Sequence, residues 1–178
     1  MASSNPTLIP IFYKWIYNIR PKRVLDVGCG FGKFGFICRD ILEICTGQRY
    51  KKSEWKTKVD ALEIFEPFVR TPMHEYLYDN IIVGDARTHY YDDYDLIIMG
   101  DVLEHMEKDE ALNLVRIVRN HCRWLIIQTP YGLMKAPSCF DNPNEEHKCG
   151  ILPENFNEYY GQVEINDNIF CILIRGEL

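Results

Sequence analysis

No apolar run in this 178-residue chain approaches the roughly 20 residues that a membrane-spanning helix needs. The first residues, Met1–Ala2–Ser3–Ser4–Asn5–Pro6, lack the basic flank and apolar stretch of a secretory signal. No CxxC pair occurs. The seven cysteines (Cys29, Cys38, Cys45, Cys122, Cys139, Cys149, Cys171) are odd in number and scattered through apolar segments, the pattern of reduced, mostly buried thiols. Cys139, His147 and Cys149 lack the spacing of a zinc site and have no evident fourth ligand. An excess of cations is missing too: the formal net charge of −6 argues against a broad grip on nucleic-acid backbone. Internal repeats and low-complexity tracts are absent. These absences leave a cytoplasmic globular protein with no membrane partner, and nucleic acid is not expected as a partner. Apolar residues make up 47% and charged residues 26% of the chain, enough for a core on both faces of a sheet, so residues 1–178 are expected to form one domain.

What is present is organised around Val24–Leu25–Asp26–Val27–Gly28–Cys29–Gly30–Phe31–Gly32. Val24 to Val27 reads as a short buried strand that the glycines cannot continue. Lys33 to Ile44 then has apolar residues at helical spacing. Strand, glycine turn and helix form a unit in which a ligand can approach bare backbone at a helix start. A carboxylate inside the strand, Asp26, is costly unless hydrogen-bonded. Gly30-x-Gly32-x-x-Gly35 is a literal dinucleotide fingerprint, which would make the protein a nicotinamide-dependent oxidoreductase. That frame, however, pushes Asp26 and Gly28 back into the strand. Read as Asp26-x-Gly28-x-Gly30-x-Gly32, the segment resembles the first motif of the class I S-adenosylmethionine (SAM)-dependent methyltransferases, whose loop wraps the methionine part of SAM.

The chain in order extends the resemblance. Thr7 to Arg20 predicts an aromatic-rich helix ending at Pro21. Arg49 to Lys58 carries five cations interleaved with aromatics and reads as a solvated loop or a local nucleic-acid patch. Lys58 to Ile64 predicts the second strand, with Glu63 near its end, where a carboxylate accepts from two ribose hydroxyls. A short helix is expected over Thr71 to Tyr78. The third strand, Asn80 to Ala86, ends in an acid, Asp85. Tyr94 to Asp101 is apolar through its middle, hence covered on both faces. A helix follows over Lys108 to Asn120 and a fifth strand over Trp124 to Pro130. Tyr131 to Gly150 is irregular, Pro153 to Tyr160 reads as a short helix, and Asn166–Asp167–Asn168 signals a closing hairpin. Alternating strands and helices closed by an antiparallel pair give an α/β fold: a doubly wound, mostly parallel seven-stranded sheet with a C-terminal antiparallel hairpin. The segments Asp26–Phe36, Glu63–Phe68, Gly84–Asp85, Gly100–His105 and Thr129–Gly132 look like the broad bacterial and archaeal methyltransferases. The resemblance implies SAM as cofactor and S-adenosylhomocysteine (SAH) as product, with Asp26, Gly28, Gly30, Gly32, Glu63, Asp85 and Asp101 as cofactor-binding residues. Asp85 in particular matches the acid that accepts from the adenine amino group.

Methyl transfer from a sulfonium is an in-line displacement in which the protein aligns nucleophile and methyl and excludes water. A hydroxyl or ammonium acceptor also needs a base with a pKa near the working pH. His147, in the acceptor-side stretch 131–160, His105 and Asp101 are the catalytic candidates, with Glu104 beside them. His74, His89 and His121 read as surface or structural. Asp101-x-x-Glu104-His105 with a later His147–Lys148 is similar to the metal-dependent methyltransferases of small-RNA 3′ ends, where Mg²⁺ or Mn²⁺ holds the terminal ribose hydroxyls. Asp101 stands where that family has Glu, and the leading reading assigns no metal. It makes the protein a SAM-dependent methyltransferase acting on the O or N of a small molecule. The alternatives are an RNA 3′-end 2′-O-methyltransferase-like enzyme and a SAM-binding partner subunit without transferase activity.

Overall fold

Short runs of branched apolar residues, each fenced by polar or glycine-containing loops, become the strands β1 (Arg23–Val27), β2 (Lys58–Glu63), β3 (Asn80–Val83), β4 (Tyr94–Gly100), β5 (Cys122–Pro130), β6 (Gly161–Asn166) and β7 (Ile169–Arg175). The computed structural model describes residues 4–136 and 141–178. The strands form one sheet in the order β3-β2-β1-β4-β5-β7-β6, parallel except for β7, which runs antiparallel to β5 and β6. The expected doubly wound sheet with its closing hairpin is therefore the one observed. Its register sets the function: Val27 pairs with Leu62 and Met99, and Gly100 with Gln128. The carboxyl ends of four strands thus reach one edge together, where ligands bind in such sheets.

Both faces are covered, as the apolar run in β4 requires. On one side α1 (Ile9–Ile19), α2 (Lys33–Arg39) and α4 (Pro72–Leu77) bury Phe12, Trp15, Ile37 and Leu77 against Val59 and Ile98. On the other, α5 (Lys108–Arg119) packs Leu114, Val115 and Val118 against Leu125 and Ile127, with Phe156 and Phe170 beside them. Arg20 closes α1 in the left-handed region (φ 50°), and Pro21 prevents further helix. Among the described residues no helix is long and apolar enough to cross a membrane.

Several expected elements take another form. The helix expected over Lys33 to Ile44 is α-helical only to Arg39 and continues as a π-helical stretch, Asp40–Cys45. The segment before β3 is two short helices, α3 (Glu66–Val69) and α4, the second capped by Thr71, whose side chain accepts from the His74 N–H. Pro153–Phe156 is a single 3₁₀ turn, and the third strand stops at Val83. The cationic stretch is tied inward: Arg49 pairs with the buried Glu43 at 2.5 Å, Lys52 donates to the Glu75 carbonyl at 2.6 Å, and the Arg39 guanidinium lies 4.5 Å over the Trp55 ring. Six cysteines are unpaired and only Cys45 of them is exposed. Cys139 lies outside the described residues.

Gly100 ends β4 against the Phe34 ring, which is stacked on Phe12 with centroids 4.6 Å apart. A Cβ on Gly100 would lie 1.9 Å from Phe34 Cε2. Gly100→Ala should therefore cost about 1–3 kcal/mol, the usual range for overpacking a filled core, read as a lower midpoint in urea with unchanged slope. An unchanged midpoint would show that the Phe12–Phe34 stack is free to move.

Candidate active site

Two cavities open at the carboxyl edge of the sheet. The first lies over the β1–α2 turn and is bounded by Gly28, Cys29, Gly30, Glu63, Asp85 and Asp101, with Lys33, Arg87 and Lys148 also on its lining. Gly28 (φ 65°) and Gly30 (φ 50°) occupy the left-handed region that L side chains rarely adopt. A Cβ on Gly28 would come within 2.5 Å of Val102 Cγ2. The turn is thus a bare-backbone cradle, held from behind by polar contacts. Glu63 is buried, accepting from the Gly30 N–H at 3.0 Å and the Phe65 N–H at 2.9 Å. Burial raises its pKa despite those bonds. The Gly30 carbonyl accepts from His74 Nε2 at 2.8 Å, so His74 carries its proton on Nε2, while Nδ1 lies 2.8 Å from the Thr71 hydroxyl.

Asp26 lies behind this turn and does not line the cavity. Wholly buried, it accepts on Oδ2 from the Tyr78 hydroxyl (2.6 Å) and the Gly35 N–H (3.1 Å), and its Oδ1 has no partner among the described residues. Burial pushes its pKa up to about 7, against the pull of those two bonds. Gly32 (φ 83°) is also set back from the lining, as the first residue before α2. Asp85 reaches the cavity with its carboxylate already engaged by Arg87, at 2.6 Å to Nη2 and 3.0 Å to Nε, and Arg87 in turn reaches Glu110 at 3.1 Å.

Asp101 lines both cavities. Its own φ of 55° turns the chain at the end of β4, a strained conformation held by the Asp101 N–H donating to the Gln128 carbonyl at 2.8 Å. The carboxylate accepts from the Asn5 N–H at 3.2 Å, and Gln128 Nε2 donates to the Asn5 carbonyl at 3.2 Å. Burial raises the pKa of Asp101.

The second cavity, about 300 Å³, runs from Asp101 and Glu104 past Pro130, Met134 and His147 to the β6–β7 turn. Ligand-capable atoms of Glu104, His105 and His147 lie within 4.8 Å of one another. Asp101 is not in that group, so three of the four residues of the sequence pattern meet. The three are prepared alike. Glu104 is 1% exposed; its Oε2 accepts from the Thr129 hydroxyl at 3.0 Å, and its Oε1 has no partner among the described residues. His105 Nδ1 lies 3.2 Å from the Glu146 carbonyl, and His147 Nδ1 lies 2.5 Å from the Met134 carbonyl. A carbonyl only accepts, so both rings carry hydrogen on Nδ1, and Nε2 is the atom each can offer as a ligand. Burial lowers the His105 pKa to about 4, keeping the ring neutral.

The chain matches no protein-family model and no curated protein sequence. Solved structures do match. The N-terminal domain of EvdMO1, determined in the presence of SAH and D-fucose, superposes with a TM-score of 0.65 at 12% identity, over 98% of this chain and 85% of that one. The fold is that of the class I methyltransferases. The methyltransferase domain of bacterial CtHen1-CN is similar over 97% of this chain and 100% of its own, at TM-score 0.58 and 14% identity. A larger candidate O-methyltransferase from Nostoc punctiforme PCC 73102 has TM-score 0.65 and 13% identity; the match covers 93% of this chain and 54% of that one.

On this methyltransferase fold, contacts between residues far apart in the sequence complete the site, and the structural reading of His74 holds. His74 braces Gly30 from 44 positions away, Gln128 and Asn5 hold Asp101, and Arg87 engages Asp85. Only Arg87, two residues past an acid at a strand end, left a local signal.

Two outcomes follow from the cradle. Gly30→Val places a branched side chain at positive φ where the turn faces the cavity, and should abolish SAH binding in calorimetry while circular dichroism stays native. Retained binding would mean the turn does not cradle the ligand. Asp26 binds a proton in the folded protein at pH values where the unfolded chain, with a pKa near 3.8, has lost it. Stability from this group is therefore lost as pH rises from about 4 to about 7. Asp26→Asn removes that loss, so the variant's melting temperature should rise relative to the parent protein across that window and level off above it. A difference that shrinks with pH would contradict the raised pKa.

Proposed function

We propose that the protein is a SAM-dependent O-methyltransferase whose acceptor hydroxyl is held on a divalent cation by Glu104, His105 and His147. One observation carries this reading: the cluster of Glu104, His105 and His147 bridges two cavities, His105 lining the one with the bare glycine cradle and Glu104 and His147 the other, with Asp101 on both. The cradle fits SAM because Gly28 and Gly30 admit close approach and Glu63 and Asp85 stand at the ends of β2 and β3, where ribose and adenine lie in this fold. Both carboxylates have protein partners here, so each shares or exchanges a hydrogen bond when the nucleoside arrives. A divalent cation would position the hydroxyl and lower its pKa. The acceptor oxygen forms its bond to the methyl carbon as the carbon–sulfur bond breaks, and that electron pair stays on sulfur, giving neutral SAH. The hydroxyl proton passes to the Asp101 carboxylate, whose raised pKa suits it to accept one.

The cluster favours the metal reading over the metal-free one, in which His147 acts as base. In favour are a buried carboxylate oxygen without a partner and two imidazoles whose Nδ1 hydrogens are already used. Mn²⁺ should bind in paramagnetic resonance titrations, and Glu104→Gln and His147→Ala should each weaken it at least about tenfold, as expected for lost ligands. Methyl transfer should stop with chelator and return with Mn²⁺, while SAH affinity stays unchanged in His147→Ala. Transfer that survives chelator but falls about 10²–10⁴-fold in His147→Ala would instead make His147 the base.

A further inference from the structure

The two cavities differ in charge. The donor cavity carries Lys33, Arg87 and Lys148 beside Glu63, Asp85, Asp101 and Glu145, whereas the acceptor cavity has carboxylates but no ammonium or guanidinium among the described residues lining it. Its floor is Asp101 and Glu104, and its rim is the β6–β7 turn, Asn166–Asp167–Asn168. These three turn side chains are exposed and have no hydrogen-bond partner among the described residues. With a divalent cation held by Glu104, His105 and His147, the three carboxylates Asp101, Glu104 and Asp167 still leave this lining net negative, and a phosphate entering at the rim would meet Asp167 with no ammonium or guanidinium to pair it. Hydroxyl groups suit the same surface. Each Asn amide both donates and accepts, and the Asp167 carboxylate accepts from two adjacent hydroxyls. Pro130, Met134 and Ile169 offer an apolar wall for the C–H face of a ring.

From this lining we propose that the acceptor is an uncharged polyol with adjacent hydroxyls, of the sugar, cyclitol or nucleoside class. Its diol points to Glu104, and its outer hydroxyls are read by the turn. The proposal rests on the methyl-transfer reading above and narrows it. The balance is that of the previous section: a C–O bond forms, the C–S bond breaks with its electrons left on sulfur, and Asp101 takes the hydroxyl proton. The products are a methyl ether and SAH. A ring bearing phosphate would place its charge at Asp167.

The test uses the full chain, radiolabelled SAM and Mn²⁺. Three neutral acceptors, methyl mannoside, myo-inositol and adenosine, are each assayed beside the corresponding monophosphate, together with a short RNA ending in a free 3′ diol. The neutral member of at least one pair should exceed its phosphate at least about tenfold in kcat/KM, and RNA should not be methylated. Replacing the rim charge by Asp167→Lys with Asn168→Lys should shrink that preference at least about tenfold while SAH affinity in calorimetry stays the same. The parent protein's preference tests the proposal by itself if the double variant does not fold. Equal or better transfer to phosphates or RNA overturns it, as does no transfer to any neutral diol by protein that binds SAH. Failure to bind SAH overturns the methyltransferase reading itself.

Discussion

Two buried carboxylates at the ends of neighbouring strands hold the turn after β1 in the shape on which the rest of the site depends. Glu63 grips the Gly30 N–H from β2, and Asp26 grips the Gly35 N–H from within β1. Hydrogen bonds contribute about 0.5–1.5 kcal/mol to a neutral group and about 1.5–3 kcal/mol to a charged one, and the raised pKa of Asp26 puts its bonds in the first class below about pH 7. The acids and the turn are therefore mutually dependent: without the backbone N–H groups the carboxyl groups could not be buried, and without Glu63 the N–H of the positive-φ Gly30 would lose its partner. Tyr78 and His74 extend the brace from α4 and the residue after it, so the helix after β2 positions the loop after β1.

Asp101 does for the boundary between the cavities what Asp26 and Glu63 do for the cradle. Its left-handed φ directs the carboxylate to the partition, and the cost of that conformation is met by fixed bonds from Asn5 and to Gln128. The segment around Ser4 and Asn5 is thereby part of the site. The Ser4 hydroxyl donates to the Gly100 carbonyl at 3.1 Å, and Lys33 of α2 contacts the Ser4 carbonyl. A residue that touches both cavities and is itself held by two other elements is well placed to align donor with acceptor.

How much of this could be read in the sequence follows the range of the interactions. The strands, their order of appearance, the glycine turn and the acids at strand ends are local patterns, and each falls where the spacing puts it. The Asp101-Glu104-His105 turn with His147 was legible as a pattern but not as a geometry: Glu104, His105 and His147 meet, while the Asp101 carboxylate stands apart on the wall of both cavities, its Oδ2 held by Asn5 and Gln128. The π-helical stretch after Arg39 was not legible, because the residues that use it, Glu43 against Arg49 and Thr57, are joined only by tertiary contact. The brace from His74 to Gly30 crosses 44 residues and looks, in sequence, like an ordinary helix histidine.

The chain from Tyr131 to Tyr160 explains the largest departure from regular covering of the sheet. Its described parts form 3₁₀ turns at Pro143–Glu145 and Pro153–Phe156 rather than an α-helix, so β6 keeps Val163 and Ile165 at 41% and 55% exposure. The segment instead closes on itself, with the Gly132 N–H donating to the Ile151 carbonyl at 2.8 Å. It is also stitched across the strand ends, where the Lys148 and Cys149 N–H groups donate to the Glu104 carbonyl at 2.7 and 3.2 Å. A helix packed on the sheet face would have buried the apolar side of β6, but its backbone bonds would all have been internal. An irregular segment has N–H and C=O groups to spare, and here they hold Glu104 from one side and fix the Nδ1 hydrogens of His105 and His147 from the other. The exposed edge strand and the prepared ligand cluster are two consequences of one choice of backbone.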